Sequence, residues 1–448
     1  MRSVLALLGV FLVGCGTPRV PQPASLVVDA RRAAALRPAI FAVDAGAPVA
    51  AQEARPRLAL LTLDPDLGDD PDDPRLAALA ARLTALRASG AEAVVALACD
   101  HPRSPARARA LAAFCNAALP AAGPLSQWPQ QRAAAGHPRP FAVRYWCLGD
   151  RHTAWPHAQD DPIAALGACA AALRAVDPRA RVLAPLPAAA RQDALATLRT
   201  RRSRTMLDGL ALLSVAQDGP VASAEALGER LSWRLGVSPD AATAASFADI
   251  ERCRELGYPA ALCAWRVGQV VAGEGSAVAL GLGAAALELR LLRLAPHLLF
   301  ARRERARDAA GELLADTGPL ALFAAHRGEM VLDTDLRHVP AFRPPDVASA
   351  AGEAVGFLEA AATRRDDLLF IHVANRSYDR ERPLRIDLAG AVPAAGLARR
   401  YTWQARSPVG ASGAPELDGS AVALGALPWE QWFPPRSFSV LVVPLAGG

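Results

Sequence analysis

The sequence predicts an α/β chain: a (β/α)8 barrel of the TIM type followed by a C-terminal all-β sandwich. Three observations predict it. Strand-like and helical segments alternate from about residue 37 to residue 325, the order a parallel barrel requires. Past His326 the helical pattern stops, and short β-type runs separated by Pro, Gly and Asp fill the remaining stretch of about 120 residues. Within the first region, Val143–Pro185 reads as a complete βαβ unit with polar residues where its first strand opens into a loop. In barrels such loops carry the chemistry.

Taken in order, Ile40–Val43, Leu58–Leu63 and Ala93–Ala98 are the first three barrel strands. Tyr145–Leu148, Val182–Ala184, Leu210–Val215, Ala261–Trp265 and Pro296–Phe300 are the other five. Arg75–Ser89 is an amphipathic helix because Leu76, Leu79, Leu83 and Leu86 recur at three- and four-residue steps. Ser104–Ala118 is a second helix, and Pro120–Pro140 reads as a Pro/Gly-rich loop. In the sandwich, Met330–Thr334, Glu353–Ala361, Asp367–Val373, Leu384–Leu388, Ala398–Gln404 and Ser437–Val443 are strands. Ser25–Val28 is expected to add an N-terminal strand to them. The expected domains are therefore a barrel over 28–325 and a sandwich over 326–448.

The first 15 residues read as a targeting segment. Arg2 supplies a basic start, Val4–Val13 is a compact apolar run too short to stay as a membrane span, and Leu12-Val13-Gly14-Cys15 is lipobox-like. Cleavage would leave Cys15 as the lipidated first residue, with residues 16–27 as a Pro-rich tether. Gly16, in place of Asp, points the anchor to the outer membrane of a bacterial envelope. All 49 basic side chains are Arg and the net charge is +5. These Arg alternate with Asp and Glu, which describes a solvated surface and not a nucleic-acid footprint. Cys99, Cys115, Cys147, Cys169, Cys253 and Cys263 show no CxxC or His-paired spacing, so buried thiols are expected and no metal. Gly281–Leu292 lacks a full GxGxxG after a strand, and no cofactor is expected. The Asp-rich stretch from Asp64 to Asp73 fits no defined calcium loop and reads as a solvated turn.

Several motifs fall in a shared order: LRASGAEAVVALACDHPRSPARARALAAFCNAAL (Leu86–Leu119), RAAAGHPRPFAVRYWCLG (Arg132–Gly149), Asp177-Pro178, LCAWRVG (Leu262–Gly268) and LLFIHVANRS (Leu368–Ser377). Together with Thr317–Arg327 before the sandwich, they resemble the α-L-arabinofuranosidases of glycoside hydrolase family 51. The resemblance implies the barrel-plus-sandwich fold. It also implies a retaining hydrolysis in which two Glu about 5 Å apart flank the anomeric carbon, one as acid/base and one as nucleophile.

The departures fall on that chemistry. The family's Tyr-Trp-x-Leu-Gly-Asn-Glu run is matched at Tyr145, Trp146, Leu148 and Gly149, but Asp150 stands at the Asn position and Arg151 at the acid/base Glu. The nucleophile position is Ala264, and the His after strand six corresponds to about Ala216. The Arg-Tyr-Pro-Gly-Gly loop after strand two has no counterpart in LLTLDPDLGDDPDDP. An Arg guanidinium stays charged and cannot give and retrieve a proton, and an Ala methyl cannot form a glycosyl ester. Asp150 and Glu274 are the carboxylates that could substitute. Asp150, Arg151, His152, Trp155, Trp265 and Arg266 form the expected ligand cleft, with Trp155 and Trp265 available for sugar stacking. Trp128, Trp429 and Trp432 are expected to pack. The sequence leaves three readings: an inactive, carbohydrate-binding envelope protein, an active furanosidase with relocated carboxylates, and a purely structural protein.

Overall fold

The computed structural model describes residues 22–36, 42–44, 57–149, 162–186, 198–212, 241–265, 274–303, 318–342, 354–394, 397–405 and 416–446. Eight parallel strands close into a barrel in chain order: β2 (Ala42–Asp44), β3 (Arg57–Thr62), β4 (Ala91–Leu97), β5 (Tyr145–Leu148), β6 (Arg181–Pro185), β7 (Gly209–Leu212), β8 (Ala260–Trp265) and β9 (Leu298–Arg303). β9 returns to β2 through Arg302 opposite Ala42 and Arg303 opposite Val43. The helices are α1 (Pro74–Ala88), α2 (Ser104–Asn116), α3 (Gln127–Ala134), α4 (Pro162–Val176), α5 (Arg201–Met206), α6 (Ala241–Leu256), α7 (Glu274–Leu294) and α8 (Gly318–Ala325).

Strand alternation sorts the core into layers. Leu58, Val94, Ala96, Tyr145, Cys147, Leu183, Ala211, Ala261, Cys263 and Phe300 fill the lumen. The Tyr145 and Phe300 rings meet edge-on there, 5.1 Å apart at 71°. The intervening residues, among them Val95, Trp146, Leu148, Val182, Leu210 and Leu262, face the helices. α1 buries Leu76, Leu79, Ala80 and Leu83 as its periodicity predicts, and Asp73 caps it by accepting from the Arg75 N–H.

Helix α3 lies inside the stretch read as a loop. It buries Trp128, Pro129 and Arg132 in place of an aliphatic stripe, so it offers no helical hydrophobic period to read. The eighth barrel strand begins at Leu298 and runs to Arg303, because Ala295–His297 is a short 3-10 turn.

The sandwich is one nine-stranded sheet folded on itself. β1 (Ser25–Ala35) precedes the barrel, and β10 (Met330–Arg337), β13 (Leu358–Arg365), β14 (Leu368–Asn375), β15 (Arg382–Ala389), β16 (Leu397–Gln404), β17 (Glu416–Ala423), β18 (Trp429–Phe433) and β19 (Ser437–Pro444) follow it. A separate hairpin pairs β11 (Ala341–Phe342) with β12 (Val355–Gly356). The order of the large sheet is β17-β16-β19-β14-β13-β10-β1-β15-β18. β1 is the expected N-terminal strand, antiparallel to β10 and parallel to β15, and it runs on to Ala35, into the stretch the sequence assigned to the barrel. β17 (ELDGSAVA) and β18 (WEQWF) carry neither a continuous nor an alternating apolar run and were not legible as strands; they are the sheet's two edges.

One sheet face encloses its own core, including Leu26, Leu369, Ile371, Leu384, Phe433 and Leu441. The other face, with Phe370, Trp403, Phe438 and Val440, merges with the barrel core around Phe323 of α8.

Candidate functional site

The C-terminal ends of the barrel strands define the mouth. β5 reaches it through Gly149, whose φ of 147° lies in a region open mainly to glycine. That explains why Gly149 of the quoted Tyr-Trp-x-Leu-Gly run stands at this turn. Asp150, Arg151, His152, Trp155 and Arg266 lie outside the described residues, as does Ala216. Ala264 and Trp265 close β8, and a register shift against β9 falls between Leu262 and Trp265. Glu274 opens α7, the helix that follows β8, which assigns its backbone to the mouth end of the barrel.

Sequence reasoning missed the mouth-side guanidinium of β9. Alternation from Phe300 directs Arg302 into the lumen. There it is 6% exposed, and its Nε donates to the Cys263 carbonyl at 2.5 Å. Arg303 faces the other way, towards the buried Glu288 of α7, with Nε 3.9 Å from Oε1. The signal was the pair of Arg after an apolar run in LLFARR. A strand read as ending at Phe300 left both outside it.

Four carboxylates of the acidic stretch at this end of the barrel are held by cations. Arg75 reaches Asp64 at 3.3 Å, Asp66 at 2.9 Å and Asp73 at 2.6 Å, and Arg107 Nε donates to Asp69 at 2.7 Å. Hydrogen bonds from Arg75 hold Asp66 and Asp73, and those from Arg107 hold Asp69, below the ordinary carboxylate range. The acidic stretch is therefore an Arg-neutralised turn. Glu251, on α6, pairs with Arg254 at 2.7 Å. The six described cysteines are buried and form no disulfide with one another. Burial pushes Cys115, Cys253 and Cys263 up to about 12, and a thiol–thiol hydrogen bond with Cys169 raises Cys99, so each is held as a neutral thiol.

The motif residues that carry the resemblance have other work. Arg132 is fully buried, donating from Nη1 to the Phe114 carbonyl at 2.5 Å, from Nη2 to Ala117 at 2.7 Å and from Nε to His137 at 3.0 Å. It ties the end of α2 to the segment leading into β5. Asn116 pairs with Val143 as a strand would, its Nδ2 donating to the carbonyl and its Oδ1 accepting the N–H, both at 2.8 Å. The same Nδ2 reaches Asp177 Oδ2 at 2.8 Å. Asn375 donates to the carbonyls of Arg380, Phe433 and Pro434 at 2.8–3.1 Å and accepts from the Ser377 N–H at 2.9 Å. Arg376 donates to Gly356 at 2.5 Å, and burial pulls it down to about 10 although Glu359 lies 3.8 Å away. These are frame residues.

Trp128 and Trp429 pack, at 4% and 5% exposure. Trp432 does not: it is 50% exposed, because a residue three positions from Trp429 on a strand points to the opposite face.

No family model matches the sequence, and no curated protein matches it. Solved structures do resemble it. The α-L-arabinofuranosidase of Thermotoga maritima, in its arabinose complex, superposes with a TM-score of 0.62 at 16% identity, covering 94% of this chain and 100% of the enzyme. The family 51 α-L-arabinofuranosidase of Thermotoga petrophila gives 0.61 at 17% with the same coverage. A family 44 xyloglucanase of Paenibacillus polymyxa, with xyloglucan, gives 0.55 at 12%, covering 95% and 100%. Likeness at this identity establishes the glycoside-hydrolase-like barrel and sandwich.

Proposed function

We propose that this protein is a catalytically silent, carbohydrate-binding cell-envelope protein with a family 51 glycosidase scaffold, held at the outer membrane by a lipid on Cys15. One contrast carries the reading. The quoted motifs retain Arg132, Asn116, Asp177 and Asn375, which hold the frame together, while the acid/base and nucleophile positions are Arg151 and Ala264. Loss of a general acid costs about 10²–10⁴ in rate, and without a nucleophile the covalent route does not exist. Sugar binding needs neither group, since stacking and hydrogen bonding to the cleft residues Asp150, Trp155 and Trp265 suffice. The arabinose complex of the Thermotoga maritima enzyme and the xyloglucan complex of the Paenibacillus polymyxa enzyme support carbohydrate as the ligand class.

A second reading, an active furanosidase, rests on Glu274, which opens the helix after β8. One assay separates the two. Wild type and Glu274→Gln are compared on aryl α-L-arabinofuranoside and a furanoside panel, alongside a sugar-binding titration. Background turnover in both with saturable binding supports the silent protein. Hydrolysis abolished by Glu274→Gln overturns it in favour of the active enzyme, and absence of both activities leaves a structural protein. The anchor is tested separately: Cys15→Ser should release the chain from membranes or leave it unprocessed. Unchanged membrane fractionation and acyl labelling would sink that part.

A further inference from the structure

Trp432 stands apart from the other described tryptophans. Trp128, Trp146, Trp403 and Trp429 are 0–5% exposed, whereas Trp432 keeps half its surface in water. Its ring is nevertheless fixed, because the indole N–H donates to Glu430 Oε1 at 3.1 Å on the same face of β18. In the register with β15, Trp432 lies opposite Pro383 and Glu430 opposite Arg385. The intervening Leu384 and Ile386 are buried in the sandwich core, so Trp432, Glu430, Pro383, Arg385 and Asp387 share the outward face.

We propose that this outer face of β15 and β18 is a carbohydrate-binding surface for a neutral polysaccharide, separate from the barrel mouth and independent of its chemistry. A sugar ring has an apolar C–H face that packs on an indole, and its hydroxyls need donors and acceptors at the rim. Arg385 donates, and Glu430 and Asp387 accept. A ring already held by Glu430 loses little freedom when it binds. The alternative occupant, a strand from a second copy, is disfavoured at this edge. The Trp432 carbonyl accepts from Arg400 Nη1 at 3.3 Å, and Pro428 and Pro434 flank the strand, both of which discourage edge-to-edge pairing.

The test is affinity electrophoresis of the full chain in gels containing soluble arabinan or xyloglucan, for wild type, Trp432→Ala, Trp432→Phe and Trp265→Ala. Wild type should be retarded, and Trp432→Ala should weaken binding about tenfold. Trp432→Phe should keep most of it, and Trp265→Ala should leave this component intact. Retardation lost in Trp265→Ala but kept in Trp432→Ala would assign all binding to the barrel mouth and overturn the proposal. So would no retardation of wild type, or a concentration-dependent dimer that disappears in Trp432→Ala without any sugar effect.

Discussion

Arg132 has no aliphatic alternative at its site. Its guanidinium satisfies carbonyls at the end of α2 and in the His137–Pro138 turn, and each buried carbonyl left unpaired costs about 1–3 kcal/mol. Arg132→Met should therefore lower unfolding free energy by at least about 3 kcal/mol in urea melts; a loss below about 1 kcal/mol would contradict this role. His372 makes a pH prediction. It is fully buried between Phe323 and Phe438, with Nε2 3.2 Å from Thr363 Oγ1, and desolvation pulls it down to about 3. The unfolded chain takes up that proton first. The stability it contributes is complete above the unfolded value of about 6.5 and is lost as pH falls towards about 3, at up to about 1.4 kcal/mol per unit. His372→Met should flatten that slope relative to wild type, and parallel pH curves would refute the assignment. Neither role was legible beforehand. A motif reveals which residues recur, but what Arg132 and Asn375 bond to depends on chain segments that meet only in the fold.

At the level of elements, the apolar periodicity of α1 and the central strands was sufficient to find them. α3, β17 and β18 escaped because their burial rests on Trp, Pro and Arg or on one face of an edge strand. At the mouth, the ends of β5 at Leu148 and of β8 at Trp265 were legible, but the end of β9 at Arg303 was not. Nor was the Arg302 position, since where a strand stops decides which side chains it aims inward. The joint between the modules shows how tightly elements are set. A Cβ built on Gly318, where α8 begins, would lie 2.2 Å from the Trp403 ring of β16, which is itself 2% exposed. Gly318→Val should thus cost about 1–3 kcal/mol by forcing that ring or α8 to move. Gly425→Ala, whose nearest neighbour is 3.9 Å away, should be near neutral. Equal melting curves for the two variants would contradict this packing.

For the whole molecule, the continuous core running from the barrel helices through Phe323 to Phe370, Trp403 and Phe438 predicts one cooperative unit. β1 reinforces it, since this strand precedes the barrel strands yet pairs within the sandwich sheet. Calorimetry should show a single unfolding transition, and truncation after Ala325 should expose the apolar face and yield insoluble protein. Two well-separated transitions would refute the shared core. The functional claim is that this scaffold is intact while its hydrolytic pair is absent. It is tested most directly by counting product: the full chain incubated at high concentration with an aryl α-L-arabinofuranoside, and released phenol measured per protein molecule after a day. The account predicts release indistinguishable from buffer. Many phenols released per chain, with an α-L-arabinofuranose product of retained configuration, would contradict it.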